Sequence, residues 1–171
     1  MYNLIVILEK IYEFHQRYLT QIRPAFQRYL LSSIQWEDRL VAIKGARGVG
    51  KTTMMLQHIA QRFGDDSNAL YVSMDSIVVK PYAVFDIAEY HVNRGGTHLF
   101  LDEIHKYADW SRELKSVYDI FPELKVVFSG SSMLQIYKSY GDLSRRTTTY
   151  HLPGLSFREF LVMETGLPLV S

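Results

Sequence analysis

An α/β fold, with a parallel sheet covered on both faces by helices, is what this 171-residue chain predicts. Three observations carry that expectation. Short apolar runs at 40–44, 69–73, 99–101 and 124–128 alternate with segments whose apolar residues recur at helical spacing, the pattern of buried parallel strands joined by crossover helices. The first run leads directly into Gly45-Ala46-Arg47-Gly48-Val49-Gly50-Lys51-Thr52-Thr53, a loop fitting G-x-x-x-x-G-K-[ST] between a strand and a helix. With 47% hydrophobic residues, a chain of this length can bury the core of one domain with a small appendage.

From Asn3 to about Leu31 the apolar positions Leu4, Ile7, Leu8, Ile11, Phe14, Tyr18 and Ile22 follow a helical period, and Pro24 divides the stretch. One or two helices are expected here, the first capped by Asn3, so that residues 1–31 form an N-terminal helical unit and 32–171 the sheet domain. These helices would cover one edge of the sheet; the segment before the first strand also lies near where a base would sit, but no residue there is singled out as its ligand.

After the loop, Met55, Leu56, Ile59 and Phe63 mark a helix from Lys51 that Gly64 ends. Ala69 to Ser73 is the next strand, and Pro81 is expected to start a helix running to about Val92. Leu99-Phe100-Leu101 forms a strand ending at Asp102-Glu103, and Trp110, Leu114, Val117 and Tyr118 define a helix from Trp110 to Ile120 that Pro122 stops. Leu124 to Phe128 is the fourth strand. It leads to Ser129-Gly130-Ser131-Ser132, whose hydroxyls suit the cap of a helix from about Met133 to Tyr140. Thr147 to Leu152 has strand composition, and Ser156-Phe157-Arg158-Glu159 is a capping box opening a last helix to about Thr165.

The glycine loop carries the chemistry. Its backbone N–H groups can converge on an anion, and Gly45, Gly48 and Gly50 leave no Cβ between main chain and phosphate. Lys51 would reach the β and γ phosphates, the Thr52 hydroxyl would hold Mg²⁺, and the helix starting there aims its positive end at the same place. The pattern arises by chance in roughly one chain of this length in a few hundred. Two strands later, His98 to Glu103 delivers two carboxylates to the carboxyl edge of the sheet, where open α/β folds bind ligands. Asp102 would hold the Mg²⁺ shell and Glu103 would orient, or take a proton from, the water attacking the γ-phosphate. Ser129, at the end of the fourth strand, either contacts the γ-phosphate or attacking water or only shapes the turn. Arg145 and Arg146 are either a phosphoryl-stabilising pair or a solvated basic pair.

Other classes are excluded or unsupported. There is no cysteine, hence no disulfide or thiolate chemistry. Six histidines are scattered without metal-ligand spacing, and the run Leu4 to Leu8, broken by Glu9 and Lys10, is too short to span a membrane. A cytoplasmic protein is expected. A formal net charge of +1 gives no bulk reason to expect nucleic acid or a membrane as partner, and the absence of Asn-Lys-x-Asp argues against guanine specificity.

Taken together, Gly45 to Thr53, Leu101-Asp102-Glu103-Ile104-His105-Lys106-Tyr107 with Trp110, Leu114-Lys115 and Tyr118-Asp119, Ser129 to Ser132, and Leu152-Pro153-Gly154-Leu155-Ser156-Phe157-Arg158-Glu159-Phe160-Leu161 resemble the prokaryotic P-loop ATPases of the AAA+ class that usually carry a further C-terminal domain. The resemblance covers about Arg23 to Leu161. It implies a three-layer P-loop NTPase with a parallel five-stranded sheet of order 5-1-4-3-2, ATP and Mg²⁺ as ligands, and hydrolysis to ADP and phosphate coupled to a conformational change in the chain or an unknown protein partner. It makes Lys51 and Thr52 the Walker A residues, Asp102 and Glu103 the Walker B pair, Ser129 the first sensor, and Arg145 or Arg146 an arginine finger, acting in trans within a homo-oligomer. His105, Lys106 and Trp110 match positions without an assigned role, Trp110 reading as packing. The class places a helical lid after the core, whereas no lid is legible before Ser171, so an ATPase core truncated before its lid is expected; the alternative is a nucleotide-binding switch with little hydrolysis.

Overall fold

The computed structural model describes residues 2–22, 26–130 and 143–166, and the side chains within this set from Leu8 onward. Its elements are α1 (Tyr2–Thr20), β1 (Leu40–Lys44), α2 (Lys51–Arg62), β2 (Ala69–Ser73), α3 (Val84–Asn93), β3 (His98–Asp102), α4 (Trp110–Ile120), β4 (Lys125–Gly130), β5 (Thr148–His151) and α5 (Phe157–Thr165). All strand pairs are parallel and the sheet runs β2-β3-β4-β1-β5, the expected order read from its other edge.

Strand alternation sorts the core into two layers. Leu40, Ala42, Leu99, Leu101, Val126 and Phe128 meet Ile87, Leu114 and Val117 of α3 and α4 on one face. Val41, Ile43, Tyr71, Phe100 and Val127 meet Met55 and Ile59 of α2, with Trp36, on the other. Trp110 lies in the first layer, its ring 5.8 Å from that of Phe128, so its role is packing. The helix α1 passes along edge strand β2: Leu8 and Ile11 join the first layer, whereas Tyr18 and Leu19 pack on the second.

Several boundaries differ from expectation for local reasons. Because α1 begins at Tyr2, Asn3 lies inside it rather than capping it. Pro81 does not open α3. The chain turns there, with the Tyr82 N–H donating to the Val79 carbonyl at 2.9 Å, and the helix starts three residues later behind the extended Ala83. Burial of Val79 and Tyr82 holds that turn against the sheet. β4 runs on to Gly130 because Ser129 and Gly130 still pair with Ile43 and Lys44, so Ser129 belongs to the strand and not to a turn. The second N-terminal helix is represented by a 3₁₀ turn at Tyr29–Ser32, while Pro24, Ser131, Ser132 and the helix expected from Met133 to Tyr140 lie outside the described residues. No helix among the described residues is long and apolar enough to cross a membrane, and no lid follows the sheet within them.

Candidate functional site

Parallel strands deliver their carboxyl ends to one edge, and the glycine loop rises there between β1 and α2. Gly45 is required by a close approach: the Leu152 N–H donates to the Lys44 carbonyl at 2.7 Å, and a Cβ on Gly45 would stand 2.4 Å from the Leu152 carbonyl oxygen. Gly50 caps α2 in the left-handed region, at φ 97°, where a side chain would be strained. Lys51 is 4% exposed and its Nζ donates to the Gly45 and Ala46 carbonyls at 3.0 and 2.9 Å. The ammonium is thus folded onto the loop it would leave to reach a phosphate. Burial lowers its pKa, and the nearby Glu103 and Asp102 carboxylates oppose that shift.

Asp102, at the end of β3, is 2% exposed and receives four hydrogen bonds. Its Oδ2 accepts from the Thr52 hydroxyl at 2.5 Å and from the Tyr71 phenol at 2.8 Å. Its Oδ1 accepts from the Ser129 hydroxyl, in a short bond, and from the Glu103 N–H at 3.1 Å. Ser129 in turn accepts from the same Glu103 N–H at 3.1 Å, so this fully buried hydroxyl fixes the acidic pair. Burial first, then the Asp102 charge, raise the Tyr71 pKa far above its usual value, so the phenol remains a donor.

Glu103 is the one non-glycine residue with positive φ among the described residues (φ 54°, ψ 41°). Its side chain is 25% exposed, and its carboxylate sits 3.3 Å from His105 Nε2. Backbone strain of this kind costs on the order of 1–3 kcal/mol and is retained where the surroundings enforce it. Lys51, Thr52, Tyr71, Asp102, Glu103 and Lys106 line an open cavity of about 440 Å³ beside the glycine loop. The donors converging on it are oxygen atoms, Thr52 Oγ1 and the Asp102 carboxylate within 2.5 Å of each other, which suits a hard divalent cation such as Mg²⁺.

A second cavity of about 420 Å³ lies on the other flank of the loop, with Phe26, Met54, Gln57, Leu155 and Met163 in its wall. The Gln57 amide holds Phe26 in place by donating to its carbonyl at 2.7 Å. Arg28, 6% exposed, closes the base of this flank. Its guanidinium donates to the Val49 carbonyl in the glycine loop, to the Pro153 and Gly154 carbonyls at 2.8 and 3.1 Å, and to Glu159 Oε1 at 2.9 Å. Glu159 also completes the capping box of α5 and accepts the Tyr29 N–H at 3.0 Å. Burial pushes its carboxyl up, but the hydrogen bonds from Arg28, Ser156 and Tyr29 outweigh that and hold its pKa at about 2.

The structure therefore brings together Gly45 to Thr53, Asp102, Glu103 and Ser129. Arg145 and Arg146 are elsewhere. They precede β5, whose Thr148 pairs with Val41 at the start of β1, so the length of a strand, about 13 Å, separates them from the chain's own loop. Arg145 is exposed, and Arg146 is bound by Asp119 with its guanidinium 5.2 Å from the Tyr118 ring. Sequence reasoning missed Tyr71 and Arg28. An aromatic residue in a buried strand carries no polar signal, and Arg28 has no neighbour in sequence that declares a partner 131 positions away.

The sequence model of the AAA domain family matches residues 37–161, and the chain belongs to that family. Among solved structures, the yeast (S. cerevisiae) Hsp104–ADP complex is similar at 21% identity and a TM-score of 0.58, over 91% of this chain and 26% of that one. AMPPCP-bound DnaA from Aquifex aeolicus is similar at 13% identity and a TM-score of 0.51, over 88% of this chain and 59% of that one. At these identities the likeness is one of fold, that of an AAA+ P-loop ATPase core, and the chain spans between about a quarter and three fifths of those proteins. No curated protein sequence matches the chain.

Proposed function

We propose that this AAA-domain chain binds ATP with Mg²⁺ in its glycine loop and hydrolyses it to ADP and phosphate. The observation that carries the reading is the meeting of Thr52 and Asp102 at 2.5 Å in a cavity that Lys51 and Glu103 also line. On binding, the N–H groups of residues 45–53 would wrap the phosphates and Lys51 would exchange the Gly45 and Ala46 carbonyls for β and γ oxygens. Mg²⁺, when bound, would neutralise phosphate charge, and Thr52 and Asp102 would hold it. Glu103 would take the proton of the attacking water as its oxygen bonds to the γ phosphorus and the bond to ADP breaks. Ser129 would act by fixing Asp102 and the Glu103 backbone.

The apolar flank suits the nucleoside, with the base against Phe26, Leu155 and Met163. Arg28 joins the loop to α5, which makes α5 the natural output for a conformational change on turnover. The distance of Arg145 and Arg146 from the chain's own loop fits a finger supplied by a second copy. Arg145, exposed and not held by Asp119, suits that role better than Arg146. Specific activity that rises with protein concentration and is lost in Arg145→Ala is the expected signature; activity per chain that stays flat on dilution counts against the finger.

Calorimetry on Lys51→Ala tests the site itself. Loss of a charge-assisted contact to phosphate, about 1.5–3 kcal/mol, should weaken ADP and non-hydrolysable ATP binding roughly 10- to 100-fold. Unchanged affinity in that variant removes the site assignment.

A further inference from the structure

The Asp102 oxygen that Thr52 reaches has a second donor that no P-loop motif specifies. Of the two groups donating to Oδ2, Thr52 is itself an expected metal ligand, while the Tyr71 phenol, at 2.8 Å, can only orient the carboxylate. Tyr71 in turn is held from outside the sheet. It lies in edge strand β2, so its N–H on the open side needs a partner, and His15 Nδ1 of α1 accepts it at 3.0 Å. The Tyr18 ring, also on α1, stands edge-on to the Tyr71 ring with centroids 5.0 Å apart. A continuous line of contact thus runs from α1 through Tyr71 to Asp102, and α1 lies outside residues 37–161 that match the AAA domain.

We infer that Tyr71 is a positioning residue for the metal-binding carboxylate, and that the N-terminal helix α1 sets the site's affinity for a divalent cation by holding Tyr71. The inference rests on the nucleotide–Mg²⁺ reading above. Its physical basis is that a carboxylate whose outer hydrogen bond is removed loses orientation, and outer partners of metal ligands are worth about 10- to 100-fold in affinity. Docking of α1 on β2 then becomes a way for anything that engages the first twenty residues to alter the site without touching nucleotide.

The test measures Mn²⁺ binding to the ADP-bound chain by electron paramagnetic resonance, and ADP binding in EDTA by calorimetry. Tyr71→Phe keeps the ring and removes the hydroxyl; its Mn²⁺ dissociation constant should rise about tenfold or more while ADP affinity in EDTA stays unchanged. Tyr18→Ala keeps the hydroxyl but frees the ring, and should raise the Mn²⁺ constant by a smaller factor. A folded Tyr71→Phe with wild-type Mn²⁺ affinity overturns the positioning role. Wild-type affinity in Tyr18→Ala overturns the part given to α1. If the unmodified chain fails to bind ADP in the presence of Mg²⁺, the nucleotide reading fails instead, and the two failures are thereby distinct.

Discussion

The two flanks of the glycine loop are built on different principles. On the β3 side, the cavity is lined by charged and hydroxyl groups whose places are set by strand ends, and the donors around Asp102 come from the sheet, from α2 and from the Glu103 N–H directly after β3. On the α5 side, the wall is mostly apolar and assembled from segments far apart in sequence, which Arg28 ties together through four acceptors. The first flank can place charge to within a bond length because a parallel sheet is rigid. The second is joined through one buried guanidinium, which links the glycine loop, Pro153, Gly154 and Glu159. On the proposed function, the contrast becomes a division of labour, with chemistry assigned to the sheet side and coupling to the helix side.

The sharpest way to test that division is Glu103→Gln. If chemistry belongs to the sheet side alone, turnover should fall by about 10²- to 10⁴-fold, with ADP affinity and thermal stability near those of the unmodified chain. A variant that hydrolyses at the normal rate would take the base assignment away from Glu103 and erase the distinction between the flanks.

Legibility in the sequence follows the same line. The strands, the glycine loop and the acidic pair were readable because each is local: an apolar run gives a strand, and a glycine loop or an acidic pair sits at the strand's end; the strand order followed from the family resemblance, since no local signal carries it. Glu159 was legible locally, as a capping-box residue, since its partner Ser156 is three positions away. Its second role was not, because Arg28 lies across the fold. Tyr71 was read as a strand residue and no more, since only the register of β2 against β3, with Ser73 opposite Asp102, brings its hydroxyl to the carboxylate. The expected start of α3 at Pro81 failed because tertiary burial of Val79 and Tyr82 outweighed a local helix-start signal.

Acid should loosen α1 and α5 in sequence. His15, His58 and His91 are held at about 4 by burial, which disfavours the charged imidazole. His15 accepts the Tyr71 N–H, and His91 Nδ1 meets the Tyr12 hydroxyl at 2.7 Å, so two of the three secure α1. The unfolded chain binds protons at these groups near pH 6.5 while the folded chain does not. Their contribution is therefore full above about pH 6.5 and is lost as pH falls toward 4, each pKa unit being worth about 1.4 kcal/mol. Glu159, at about 2, works in a lower window: its contribution is present above the ordinary carboxylate value and is lost as pH falls from there toward 2. Hydrogen exchange between pH 6.5 and 4 should accordingly show α1 losing protection before α5. The reverse order would mean that Arg28 and Glu159 are the weaker anchor.

The smallest effect should come from the apolar flank. Phe26→Ala removes a half-buried ring whose carbonyl, not its side chain, is held by Gln57, so the backbone of this segment should persist. If the flank receives a base, the lost contact is worth about 1–2 kcal/mol, and ADP affinity should fall roughly 5- to 30-fold. Pyrophosphate, which has no base, should bind the variant as it binds the unmodified chain, because residues 45–53 and Lys51 are untouched. The paired measurement separates two ways in which ADP affinity can drop. Loss for both ligands would mean that Phe26 supports the loop itself, through Arg28 and Val49, and the two flanks would then be one unit. Loss for ADP alone would leave phosphate binding to the loop, metal and chemistry to the β3 side, and the base to the side that Arg28 joins to α5.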